Sequence, residues 1–285
     1  MNNVDYLCKG IKKKITTNNQ MTLSTLKSKI DFINTVGADF RTKWLLLLNT
    51  ILMYVYSKLK PLKSLINVNS ISKYRIKVNH NICEIEFRIQ DIPIFYEVML
   101  EKVYHVPQEW IPECATFVDL GAHVGCTSVY FQQYHHIGTY LSVEPSAENF
   151  FILQRNAALY PIICINKAIF DKNEMVKIDS SSLKGQNHHL SEVTGAEVDG
   201  INMDSLMKEY HINTIDLLKI DIEGTENILF KNKPDWLKSV RIILIELHGD
   251  YTVADLKNDI SPYGFEIISS ENPYGIKMIC AHRMH

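Results

Sequence analysis

At 285 residues with 46% hydrophobic content, the chain is long enough for one large domain plus an appendage and is neither a disordered nor a fibrous composition. Six scattered cysteines (Cys8, Cys83, Cys114, Cys126, Cys164, Cys280) with no C-x-x-C pair point away from a zinc site or a disulfide framework, and no secretory leader pattern opens the chain, so a cytoplasmic location is expected. The net charge of -2 hides an asymmetry: residues 1–80 carry 14 Lys plus Arg against three acids, and residues 81–285 carry 16 against 29. Such a basic front suits an anionic partner, either the inner face of a membrane or the acidic region behind it. Nucleic acid is an unlikely partner, because no aromatic groups interleave with basic ones in a binding motif.

Residues 44–57, WLLLLNTILMYVYS, form an uncharged run bracketed by Arg41 and Lys43 before it and by Lys58, Lys60 and Lys63 after it. The run predicts a helix that stops before Pro61. It is shorter than the roughly 20 apolar residues that span a bilayer, so packing on the rest of the protein is expected first, a peripheral membrane contact through residues 41–63 second and a membrane span last. Residues 1–73 are thus expected to be a basic, mainly helical extension.

From Tyr74 to Ile89, YRIKVNHNICEIEFRI alternates with period two around an Asn-rich break, which predicts a β-hairpin. With the short helix expected in DIPIFYEVMLEKVYHVP, it forms a lead-in over residues 74–115. Strands and helices then alternate over residues 116–285. TFVDL, TYLSV, IICIN, IDLLKI and VRIILIEL read as strands; helices are expected to about Gln133, from Ser146 to about Leu159, near Met203 to Tyr210, from Glu223 to Phe230 and from Val253 to Asp259. Near-continuous apolar strands separated by helices predict a doubly wound α/β fold with a parallel sheet covered on both faces. FEIIS and IKMICA are separated only by SENPYG, too short for a crossover helix, so they close a mostly parallel seven-stranded sheet as an antiparallel hairpin. The insertion between the third and fourth strands, including SSSLKGQNHHLSEVTG, reads as a polar loop placed to form an acceptor lid, with His188 and His189 either touching substrate or solvated.

VDLGAHVGCTS puts Asp119 at the end of the first of these strands and Gly121 and Gly125 in the turn that opens the next helix. Gly121 permits a tight turn, Gly125 a close approach by a ligand or a neighbouring backbone, and the helix start offers free N–H groups. The spacing is neither the dinucleotide fingerprint nor a phosphate loop. A carboxylate beside the turn would repel a pyrophosphate but suits the ammonium of a methionine moiety; its plainer role is to cap the turn. Glu144, in VEPS after the second strand, sits where an acid accepts from ribose hydroxyls, or is only an acid before a helix. The closing hairpin agrees, since nicotinamide-binding domains normally continue with another parallel unit, whereas S-adenosylmethionine (SAM) methyltransferase folds end this way.

Taken together, FVDLGAHVGCTS, VEPSAENFFILQRNAALY, INKAIFD, INMDSL, IDLLKIDIEGTENILF and IELH resemble, in order and spacing, the FkbM-type SAM-dependent methyltransferases. The resemblance covers about residues 88–285 and implies a Rossmann-like SAM methyltransferase fold. It also implies that Asp119 and the backbone of Gly121, Ala122, His123 and Gly125 hold the methionine part, Glu144 the ribose, and the segment from Asn166 to Ala168 the adenine edge. His123 departs from the asparagine usual in the family, and its charge would depend on pH.

Methyl transfer is an in-line displacement in which the protein positions the acceptor and, for an alcohol, removes a proton. The candidates at the carboxyl edge of the sheet are Asp221 and Glu223 after the fourth strand and Glu246 and His248 after the fifth. His248, with its ordinary pKa, is the expected general base, and Asp221 is the expected second catalytic group. Asp221 and Glu223 could also hold Mg²⁺, although Glu223 could simply start the next helix. The expected activity is O-methylation of a sugar or another hydroxylated metabolite. The alternative is a non-catalytic SAM-fold binding module in a glycan-assembly complex.

Overall fold

The computed structural model describes residues 23–179, 195–230, 233–269 and 278–283. His188 and His189 lie outside them, as do residues 1–22.

Two helices come first, α1 (Leu23–Val36) and α2 (Phe40–Lys58). Asp39 starts α2 by accepting a hydrogen bond from the Thr42 N–H at 2.8 Å, as an N-cap carboxylate does. A 3₁₀ turn over Lys60–Leu65 follows, with Pro61 at its start. The expected hairpin is present: β1 (Ile71–Val78) and β2 (Asn81–Arg88) pair antiparallel in full register. Asn79 and His80 both have positive φ, 44° and 67°, as a two-residue type I′ turn requires. Helix α3 (Ile92–Tyr96) runs into a π-helical turn, Glu97–Glu101, that ends at left-handed Lys102.

Strands β3 (Ala115–Leu120), β4 (Ile137–Val143), β5 (Ile162–Ile165), β9 (Ile215–Ile220), β10 (Val240–Glu246), β11 (Phe265–Ser269) and β12 (Met278–Arg283) make one seven-stranded sheet in the order β11-β12-β10-β9-β3-β4-β5. All its pairs are parallel except those of β12, which runs antiparallel to both β10 and β11. Helices α4 (Cys126–Tyr134), α5 (Ala147–Ala157), α6 (Met203–Glu209), α7 (Glu226–Phe230) and α8 (Val253–Ile260) connect the strands.

Two expectations are corrected. Part of the segment expected to be a loop is a second sheet, β6 (Ala168–Ile169), β8 (Gly195–Ile201) and β7 (Met175–Asp179) in that order. And α7 starts at Glu226, not Glu223, because Glu223 (φ 56°) and Gly224 (φ 104°) turn the chain through left-handed conformations first.

Strand alternation assigns the side chains to two cores. Phe117, Tyr140, Leu217 and Ile242 face one way, into a cluster that runs without a break through Val129 of α4, Phe87 of the hairpin, Phe95 of α3, Leu46 of α2 and Ile33 of α1. Val118, Leu141, Leu218 and Ile243 face the other way, onto Leu206 of α6, Trp236 and Leu256 of α8. Helices α1 and α2 are therefore packed into the sheet's own core.

Candidate active site

Parallel register places Asp119 of β3 directly opposite Lys219 of β9. The two point to the same face, where Lys219 Nζ lies 3.0 Å from Asp119 Oδ1 and 3.7 Å from Asp221 Oδ2. It also donates to the Gly121 carbonyl at 2.9 Å and sits 5.0 Å over the Tyr104 ring. Burial opposes the Lys219 charge, but Asp119 and Asp221 more than offset it and hold its pKa above the usual value. Burial presses the Asp119 carboxyl upward and the ammonium beside it pulls it back. Both Asp119 oxygens are buried without an aligned hydrogen bond.

The glycine turn leans on the end of β9. Gly121 has φ 79°, and a Cβ there would lie 1.8 Å from the Asp221 carbonyl oxygen. The N–H groups of Gly121 and Ala122 both donate to the Val143 carbonyl, at 2.9 and 3.0 Å. Gly125 (φ 85°) serves protein packing: a Cβ there would meet Leu153 Cδ1 at 2.9 Å, so α5 fills the space. His123 is left-handed (φ 51°), and its N–H donates to Glu144 Oε2 at 2.9 Å.

Glu144 is buried, and burial raises its pKa. Its Oε1 accepts from the Ser146 N–H at 2.9 Å and from Asn149 Nδ2 at 3.1 Å. Asn166 Nδ2 donates to the Glu144 carbonyl at 2.8 Å, and Ala168 is buried in β6 opposite Gly200. Asp119, Gly121, Ala122, His123 and Glu144 thus converge at two adjacent strand ends, with Asn166 next to them.

Beyond β9 and β10 an acidic cluster surrounds one histidine. His248 Nδ1 is 2.8 Å from Glu226 Oε1, which also accepts from the Gly224 N–H at 3.1 Å. Nε2 of His248 lies 3.5 Å from Glu223, 3.7 Å from Glu246 and 3.9 Å from Asp221. Asp221 Oδ2 accepts from Tyr104 Oη at 2.8 Å. Burial would lower the His248 pKa, but the Glu226 hydrogen bond and the charges of Asp221 and Glu223 raise it to about 9. Burial and then Asp221 raise Glu246 to about 7; burial and then Glu246 raise Glu97, in the π-helical turn, to about 8. Asp221, Glu223 and His248 each offer a ligand atom within 4.8 Å of the others.

Lys219, Tyr104, Glu226 and Glu97 escaped the sequence reading. Lys219 alone left a sign, as the one charge between the apolar residues at the end of its strand; the others come from a lead-in and a helix turn that only tertiary packing brings to the sheet edge.

Residues 119–267 match the family described as the methyltransferase FkbM domain. The chain belongs to the FkbM methyltransferase family. Membership makes it a SAM-dependent methyltransferase in general terms. "Methyltransferase 1" from Beauveria bassiana (strain ARSEF 2860) is 25% identical over 220 residues, 65% of this chain and 82% of that protein. Among solved structures, methyltransferase FkbM from Methylobacillus flagellatus KT is similar with a TM-score of 0.42 at 15% identity; the match covers 68% of this chain and 54% of that one, about half its length. TrmK of M. capricolum, solved with S-adenosyl-homocysteine, gives a TM-score of 0.37 at 14% identity over 65% of this chain and 67% of its own. Among the described residues, no helix is long and apolar enough to cross a membrane.

Proposed function

We propose that this FkbM-family protein methylates a hydroxyl of a saccharide or similar hydroxylated acceptor, with Glu246 taking the proton. The supporting observation is the placement of Glu246, Asp221 and Glu223 around His248 Nε2 at the ends of the two strands next to the glycine turn. An alcohol needs a base whose pKa is close to the working pH. Glu246, pushed up to about 7, meets that need better than His248, which keeps its proton to about 9. In this reading His248 is a charged donor that orients the acceptor oxygen, and Asp221, braced by Tyr104 and Lys219, fixes the wall between cofactor and acceptor.

The cofactor residues fit SAM. Asp119 Oδ2, which has no hydrogen-bond partner while Oδ1 is paired with Lys219, can accept from the ammonium, and Glu144 Oε2, which takes only the His123 N–H, keeps a lone pair for one ribose hydroxyl. SAM, when bound, supplies an electrophilic sulfonium methyl. A divalent cation held by Asp221, Glu223 and His248 is a second reading. It is favoured by the Nδ1 bond to Glu226, which leaves Nε2 facing the two carboxylates as in metal-binding histidines.

Incubation with methyl-labelled SAM and a panel of saccharides, read by mass spectrometry, tests the proposal. Label is expected on a hydroxyl oxygen, with Glu246→Gln lowering kcat by ~10²–10⁴-fold at unchanged SAM affinity. Label on nitrogen alone, or wild-type turnover by Glu246→Gln, would overturn it. A chelator that abolishes turnover, restored by added Mg²⁺, would select the metal reading.

A further inference from the structure

Helix α2 carries polar side chains inward beside Leu46 and apolar ones outward. Its inward face carries the buried polar groups Thr42, Asn49 and Thr50. Each is satisfied: the Thr42 hydroxyl accepts from the Arg75 N–H at 3.0 Å, Asn49 Nδ2 donates to Tyr74 Oη at 2.5 Å, and the Thr50 hydroxyl bonds Tyr96 Oη at 2.8 Å. The outward face carries Phe40 (82% exposed), Trp44 (58%), Leu48 and Ile51, at spacings that align them along one stripe. A surface groove of about 170 Å³ between α1 and α2 extends the apolar area past Ile30 and Leu47. After the helix, the turn Lys60–Leu65 exposes Leu62, between Lys60 and Lys63, and Leu65 beyond them.

We propose that this face docks on an anionic lipid surface, with α2 lying in the interface. Charge selects that occupant. Residues 40–65 contain Arg41, Lys43, Lys58, Lys60 and Lys63 and not one acid, and the nearest acid before them, Asp39, is engaged by Thr42 and Arg75. An apolar stripe with an exposed tryptophan and basic groups at both ends is the pattern of a helix that lies on headgroups. The surface is independent of the catalytic edge, where the acids gather.

The 285-residue chain is centrifuged with phosphatidylcholine vesicles with and without phosphatidylglycerol, and the Trp44 emission is taken as the difference between the wild type and Trp44→Phe, because Trp110 is half-buried and also emits. Trp236 is buried. The expected result is sedimentation with the anionic vesicles alone, weakened by salt, with a blue shift. The exposed-site variant Trp44→Glu/Ile51→Glu should partition at least ~10-fold less while keeping its melting temperature and its SAM affinity. Lys58→Glu/Lys60→Glu should also bind less. Equal recovery with and without anionic lipid, or wild-type sedimentation by Trp44→Glu/Ile51→Glu, would overturn the proposal. So would a dimer in light scattering that this variant dissolves, without vesicle binding, since the face would then meet a second copy.

Discussion

Lys219 lies in an apolar strand because register sets it against Asp119, and the pair is retained by a third charge, Asp221, together with the Gly121 carbonyl. Removing one partner of a buried ion pair leaves the other without compensation, so this lysine holds Asp119 and Asp221 together. Asp119, Glu144 and Asp221 were legible from their positions at strand ends; Glu226 and Glu97 were not, since their influence on His248 and Glu246 depends on distances no spacing reveals. The charge states give a pH dependence. His248, raised from 6.5 to about 9, binds its proton more tightly when folded, so its contribution to stability is full below pH 6.5 and is lost as pH rises through 9. Glu246 and Glu97, raised from 4.5 to about 7 and about 8, keep protons that the unfolded chain releases, and their effect also fades with rising pH. Scanning calorimetry should show a melting temperature that falls from pH 5 to pH 9. His248→Gln should flatten the upper half of that slope; an unchanged slope would refute the assignment.

The parallel strands and the closing hairpin were readable because each is a short apolar run and because six residues cannot cross a sheet. The β6-β8-β7 sheet was not. Its strands MVKID and GAEVDGI alternate weakly, Met175 is exposed, and polar residues surround them, so a solvated sheet looks like a loop. Helix α7 was placed three residues early because an acid after a strand suits a helix start; the left-handed Glu223 and Gly224 intervene. The contact between the glycine turn and β9 is the tightest joint between elements at the site. Gly121→Ala, with a Cβ 1.8 Å from the Asp221 carbonyl oxygen and φ at 79°, should cost about 3 kcal/mol or more in urea denaturation and should abolish SAM binding in calorimetry.

Across the whole molecule, one core joins the basic front to the acidic sheet: Ile33, Leu46, Tyr74, Phe87, Phe95 and Phe117 belong to the same cluster. The charge division noted in the sequence marks surfaces, then, and no boundary between cores follows it. Leu46→Ala, in α2, should destabilise the whole chain by about 2–5 kcal/mol. Hydrogen exchange should show β3 and α2 amides losing protection together; loss confined to α2 would mean the front folds separately.

The buried polar groups of α2 have a mechanical consequence. Bonds from Thr42, Asn49 and Thr50 to three different partners fix the angle about the helix axis, so rolling Trp44 inward would turn these groups outward and leave the Tyr74 and Tyr96 hydroxyls and the Arg75 N–H without them. The helix is a keyed shaft rather than a free one. Among the described residues its apolar edge is on display, and turning the helix about its own axis is no way to hide it.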